Sequence, residues 1–239
     1  MTIRHFAKGA GTVVMLVAII VVGTLISSPR GRAEGRGDDD DSKIEQGFAI
    51  APVHLNLAGR NRKLVGLGSY IVNAQGDCNG CHTMDPSTEF TDTGNPYLLR
   101  PPGGPFGGKA RVNPATYLGG GQDFGEFPFP GSGGPHIFSR NLTPDKTGRP
   151  EGGHSFQEFL TILRTGKDYD HLHPSCIGAP DGTCLPAPFN GDLLQIMPWP
   201  TYQNMSEHDI RAIYEYLSAI PCIDTMVAGQ PQLRNDCGH

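Results

Sequence analysis

Five consecutive residues have the types and spacing needed for cofactor chemistry. Cys78 and Cys81 stand two residues apart, and His82 follows directly. Two thiols at this spacing lie on one turn of backbone, so both can add to the two vinyl groups on one edge of a haem. The His82 imidazole is then held under the ring, where a nitrogen can bind the iron, and Gly80 lets the backbone lie close to the porphyrin. The pentapeptide therefore predicts one covalently attached haem c.

Other uses of a Cys-x-x-Cys pair have less support in the sequence. A zinc site would need a second such pair, and the sequence has none. A thioredoxin-like redox pair needs a strand-to-helix setting, which the flanking residues do not indicate. A structural disulfide between the two cysteines remains an alternative.

Composition supports a fold that depends on a bound group. Hydrophobic residues make up only 37% of the chain, while glycine (33) and proline (21) are abundant. This balance indicates many loops around a core that a haem would complete. The net charge is −5, and no basic patch with interleaved aromatic residues is present, so we expect no nucleic-acid partner.

The sequence divides into three regions. Residues 1–33 contain an uncharged apolar run, 10–26, behind two basic residues, which predicts a membrane anchor or a signal peptide. We favour an uncleaved anchor because Pro29 and the neighbouring arginines make a poor cleavage site. Residues 34–57 are acidic and contain glycine, and they predict a flexible linker. Residues 58–239 then form a single-haem domain.

Apolar residues recur at helical spacing in three segments of that domain. The first predicted helix covers about 61–74, although Gly66 and Gly68 weaken it unless they let another helix approach. The second begins at Ser155, which forms a capping box with Glu158, and ends at Gly166. The third covers about 206–220 and is capped by Ser206.

Residues 86–135 are rich in proline and glycine and predict a long ordered loop. Short strands are expected near 111–117 and 137–138. Four phenylalanines in this region or just after it either pack on a haem edge or anchor the loop: Phe124, Phe127, Phe129 and Phe138.

Several of these segments resemble one protein family. The residues from Gly68 to Ile71, followed by Asp77 to Thr83, resemble the first helix and haem loop of class I c-type cytochromes. The Asn-Leu-Thr-Pro-Asp segment that begins at Asn141 resembles the cytochrome c subunits of membrane-bound alcohol and sugar dehydrogenases. The resemblance covers roughly 60–82 and 117–221 and implies a mainly α, class I cytochrome c fold with a long Pro/Gly-rich loop insertion.

The same resemblance implies the second iron ligand. Met197 and Pro198 precede a helix of the family's type, which makes the Met197 sulfur the expected sixth ligand opposite His82. Met205 is the second choice. Trp199 is expected near the haem with a partner for its indole N–H.

The remaining cysteines and polar residues give further expectations. In an exported chain, Cys176 and Cys184 are predicted to form a disulfide, and Cys222 and Cys237 a second. His171 and His173 form only a weak metal-binding pattern. Arg164 is either a surface residue or a partner for a haem propionate.

These features together predict a single-haem electron carrier that is not itself an enzyme. Its expected partners are a dehydrogenase, an oxidase or another cytochrome, and its expected location is the periplasmic side of the inner membrane, anchored by residues 10–26. The alternatives are a haem enzyme or gas sensor with a displaceable sixth ligand, or a scaffold protein that carries haem.

Overall fold

The structure is a computed structural model, and it describes residues 36–91, 94–97, 110–177, 182–224 and 235–238. The predicted anchor or signal segment lies outside these residues. Helices account for most of the regular structure: α1 (Arg36–Ile50), α2 (Arg62–Tyr70), α3 (Cys78–His82), α4 (Pro150–Gly153), α5 (Phe156–Thr165), α6 (Trp199–Tyr202) and α7 (Glu207–Ala219). The strands β1 (Asp123–Glu126) and β2 (His136–Phe138) form one small antiparallel sheet.

The core forms where α2 packs against α7. The Asn61 side chain caps α2 by accepting from the Lys63 and Leu64 amides, and the helix continues as a π turn over Ile71–Gln75. The predicted helix over 61–74 is thus confirmed. At Gly68 the helices touch so closely that a Cβ atom would overlap the Ala212 backbone, which explains a glycine inside a helix.

The prediction of a flexible linker over 34–57 was wrong for residues 36–50, which form α1. Ile44 and Phe48 are spaced by one helical turn and pack on the core, and Gly47 lies against Gly66 of α2. The Asp41–Lys63 ion pair of 3.0 Å joins the same two helices. A short apolar face within an acidic sequence therefore places this segment in the folded unit.

Residues 111–117 do not form the expected strand. Val112 makes only an isolated bridge with Phe90, and the chain then turns. The Asn113 side chain accepts from the Ala115 amide, and Pro114 has no N–H to give to a sheet. The predicted strand at 137–138 is present as β2, paired with β1.

The other predicted helices and both disulfides are confirmed. Ser155 and Glu158 form the capping box of α5, and the Ser206 hydroxyl caps α7 by accepting from the Asp209 amide. The disulfides are Cys176–Cys184 and Cys222–Cys237. Among the described helices, none has the length and apolar character to cross a bilayer.

Candidate functional site

The two motif cysteines lie on α3 as free thiols, so the alternative of a disulfide between them is not what the structure shows. Asp77, with φ at 45°, turns the chain sharply into this one-turn helix. Burial raises the pKa of Cys78 to about 12, with the nearby Asp77 and Cys81 adding to the shift. Both thiols line a single cavity of about 380 Å³.

His82 is buried in the wall of the same cavity. Its Nδ1 lies 2.8 Å from the Arg140 carbonyl oxygen. Because a carbonyl oxygen only accepts, Nδ1 carries the proton and Nε2 keeps a free lone pair. Burial lowers the pKa of His82, so the ring stays neutral. A neutral imidazole whose other nitrogen donates to a backbone carbonyl is the usual arrangement of a metal-binding histidine.

Met197 lines the cavity as well, from the segment that leads into α6. The four predicted site residues, Cys78, Cys81, His82 and Met197, are therefore brought to one cavity. Met205, the second choice for the thioether ligand, also lines it. Both methionines are half-buried and pack against the core, so the identity of the sixth ligand stays a prediction.

The rest of the wall is mostly apolar. It is built by the π turn that follows α2, by α5 and α7, by the hairpin with the residues just after it, and by the segment 193–198. The apolar side chains are Ile71, Val72, Ile137, Leu142, Phe159, Ile162, Leu163, Leu193, Leu194, Ile213 and Leu217. The four phenylalanines that were expected to pack on a haem edge or anchor the loop lie in different surroundings. Phe124 and Phe138 line the cavity, Phe127 packs edge-on against Phe189 at 4.6 Å, and Phe129 is exposed.

One part of the wall carries charge that sequence reasoning missed. Arg140 is nearly buried and forms ion pairs with Asp168 at 2.9 Å and Asp170 at 2.8 Å. Glu151 of α4 also lines the cavity. These residues are far apart in sequence, and only the fold brings them together. In the sequence, only the position of Arg140, directly before the Asn-Leu-Thr-Pro-Asp segment that begins at Asn141, could have indicated a role for this arginine.

Three other predicted residues have clear places. Arg164 donates to the Gln203 backbone carbonyl and is not among the described residues that line the cavity. The Trp199 indole donates to the Leu194 carbonyl oxygen at 3.3 Å, as expected for a partly buried tryptophan. His171 lies 3.6 Å from Asp192, and the described residues contain no group of three or more His, Cys, Asp or Glu side chains that could hold a metal ion.

The donor set fits a covalently held haem. The cavity presents two reduced thiols, the neutral His82 imidazole with a free nitrogen, a second imidazole from His173, and two thioether sulfurs on an apolar wall. Imidazole and thioether suit iron in a porphyrin, and vinyl addition needs free thiols. The residues present therefore match the group that the pentapeptide predicts.

Comparison with known proteins gives one similarity. The chain is 28% identical over 158 residues to the gluconate 2-dehydrogenase cytochrome c subunit of Pantoea cypripedii, an alignment that covers 65% of this chain. It covers 23% of that protein, so the chain spans about a quarter of its length. No protein-family model matches the chain. No solved structure matches it either. The name of this relative is that of a dehydrogenase cytochrome c subunit, the kind of protein that the sequence motifs resemble.

Proposed function

We propose that the protein is a single-haem c-type cytochrome that transfers electrons one at a time. The observation that carries this proposal is the cavity, on which two free thiols, the His82 imidazole and the Met197 thioether meet. A haem bound there would supply an iron that cycles between Fe(III) and Fe(II) by one electron. The similarity to a dehydrogenase cytochrome c subunit supports an electron-transfer role.

Each residue then has a defined part. With haem bound, Cys78 and Cys81 would hold it through thioether bonds, and His82 Nε2 would bind the iron while its Nδ1–H is fixed by Arg140. The Met197 sulfur would supply the other protein ligand to the iron. We also propose that α2 and α7 are the two crossing helices of a class I cytochrome c fold. Their close packing at Gly68 supports this assignment.

The protein's partners are other redox proteins. The name of the relative suggests a dehydrogenase as electron donor, and an oxidase or another cytochrome would accept the electrons. With two side chains as its protein ligands, the iron would bind no substrate. The chain would therefore act as an electron-transfer subunit and not as the catalytic unit.

We further propose that the protein works on the periplasmic side of the inner membrane. The two disulfides support an oxidising compartment. The apolar run 10–26 is the proposed anchor. If it is retained, the protein stays in the membrane fraction after high-salt and carbonate washes. A soluble product that begins near Glu34 would show instead that the run is a cleaved signal.

The test of function begins with haem attachment. Intact mass of the denatured protein should exceed that of the apo-chain by one haem, and the double variant Cys78→Ser/Cys81→Ser should lose this increment entirely. The matched control is Cys176→Ser/Cys184→Ser, which removes two cysteines as a disulfide and should keep the haem.

The second part of the test is electron exchange. The holoprotein should be reduced reversibly by one electron and reoxidised by a partner cytochrome or oxidase. Haem that acid–acetone extraction removes would contradict the attachment. Haem that stays bound but exchanges no electrons with redox proteins would favour the scaffold alternative.

A further inference from the structure

Glu151 has an unusual position in the cavity wall. It lies on α4 with φ at 51° and ψ at 59°, a left-handed conformation that a residue with a side chain rarely adopts, and Gly152 and Gly153 follow with positive φ as well. Its side chain lines the cavity that would hold the haem. Strained residues of this kind concentrate at functional sites.

The charges near Glu151 are unbalanced. Arg140 lines the same cavity and acts electrostatically on Glu151, and its guanidinium is already paired with Asp168 and Asp170. Glu151 is therefore a third carboxyl beside one arginine. Within the described residues, no hydrogen bond or ion pair joins its carboxylate to a partner. Other titratable side chains of the same cavity are Asp77, Cys78, Cys81, His82, His173 and Tyr202. Burial lowers the pKa of His82, so its ring is neutral.

This setting favours the protonated form of Glu151. Burial raises its pKa to about 8; Arg140 opposes the shift, and Asp170 and Asp168 add to it. A carboxyl with a pKa near neutrality exchanges protons under physiological conditions, and a further negative charge in the same low-dielectric cavity would raise its proton affinity again.

We propose that Glu151 is a proton-binding site coupled to electron transfer. This inference rests on the proposed function. At pH values where Glu151 is ionised beside Fe(III) but protonated beside Fe(II), reduction by one electron from the donor protein brings one proton from solvent to the Glu151 carboxylate, which becomes a carboxylic acid. On oxidation by the acceptor, the electron and the proton both leave. The net charge of the cavity stays constant through the cycle.

Coupling of this kind is reciprocal, so proton concentration must change the reduction potential. Deprotonated Glu151 stabilises Fe(III), and the potential should therefore fall as pH rises through the range in which Glu151 titrates. For one proton per electron, the fall approaches about 59 mV for each tenfold change in proton concentration.

The experiment is a spectroelectrochemical titration of the full-length holoprotein at pH values two units either side of about 8. Wild-type potential should fall with pH, and Glu151→Gln should remove most of the fall. The matched control is Glu158→Gln on α5: its carboxyl is exposed, and hydrogen bonds from Ser155 lower its pKa, so this variant should keep the wild-type slope. A flat wild-type profile, or an unchanged slope in Glu151→Gln, overturns the proposal.

A measurement on wild-type protein covers the case in which Glu151→Gln does not fold. A reduced-minus-oxidised infrared spectrum near pH 8 should show the carbonyl stretch of a newly protonated carboxylic acid, and ¹³C labelling of glutamate should shift it. No such band, or one that belongs to the haem's own carboxylates, overturns the proposal. Absence of a reversible one-electron wave would refute the proposed function instead, whereas a reversible, pH-independent wave refutes only the role of Glu151.

Discussion

The two sides of the cavity are held in different ways. The histidine wall (residues 78–83) is tied to distant parts of the chain. The Gly120 amide donates to the His82 carbonyl oxygen at 2.6 Å, the Leu118 amide donates to Asn79 Oδ1 at 2.9 Å, and His82 Nδ1 donates to Arg140. Asn79, His82 and Leu118 are all buried. These bonds fix the position of the imidazole before any ligand binds.

The methionine wall (residues 193–205) is held mainly by its own neighbours. The Met197 amide donates to the Gln195 carbonyl oxygen at 2.6 Å, and the Trp199 amide donates to that of Met197 at 2.8 Å. Two longer-range bonds reach the segment: the Leu194 amide donates to the Gly166 carbonyl oxygen at 2.7 Å near its start, and Arg164 donates to the Gln203 carbonyl oxygen near its end. Ile196 is exposed and has a positive φ.

This difference suggests that the histidine wall contributes mainly to stability and the methionine wall mainly to the properties of the iron. Buried hydrogen bonds are costly to lose because the remaining group cannot turn to water. Changes in the histidine wall should therefore reduce stability, while changes in the methionine wall should alter the properties of the iron and leave the fold intact.

Met197→Ala should give the largest effect. Loss of the thioether removes the ligand that favours Fe(II), so the reduction potential should fall by on the order of 0.1 V, within the roughly 0.8 V that axial ligands span. The weak near-red charge-transfer band of methionine bound to Fe(III) should disappear. The open position should bind carbon monoxide or cyanide, which wild-type protein should resist.

Met205→Ala is the matched control for this change, because Met205 lines the same cavity from the other end of the methionine wall. It should keep the band and the potential. If Met205→Ala loses the band and Met197→Ala keeps it, the ligand assignment is reversed. If wild-type ferrous protein binds carbon monoxide at once, the haem enzyme or sensor becomes the better interpretation.

The features that could be predicted from the sequence were those that depend on residues close together in the chain. Helix caps at Ser155 and Ser206 and the Cys-x-x-Cys-His spacing depend on residues a few positions apart, and the structure has the caps and a single cavity at the motif. The helix α1 was missed because its two core-packing apolar side chains, Ile44 and Phe48, follow a run of four aspartates that is typical of a solvated linker. Arg140 and Glu151 were missed because their meeting depends on tertiary packing, which no short sequence pattern encodes.

Asn79→Ala tests the histidine wall. The substitution leaves the buried Leu118 N–H without its acceptor, and this should lower the free energy of unfolding by about 2 kcal/mol. Denaturant unfolding of the holoprotein, followed by the haem absorbance, measures the change. Asn113→Ala is the control: among the described residues its side chain accepts only from the Ala115 amide, in an exposed turn, and the substitution should cost less than about 1 kcal/mol. Equal losses in the two variants would contradict the special role of the buried bond.

Trp199→Phe tests the methionine wall and should have a smaller effect than Met197→Ala or Asn79→Ala. The indole donates to Leu194 within the same wall and packs against Gly166, whose positive φ ends α5. Phenylalanine keeps part of this packing and loses a 3.3 Å hydrogen bond at a half-buried site, so the free energy of unfolding should fall by only about 1 kcal/mol. The methionine band should persist because Met197 keeps its own backbone bonds. A loss as large as that of Asn79→Ala, or a lost band, would show that Trp199 fixes this wall as firmly as the histidine wall is fixed.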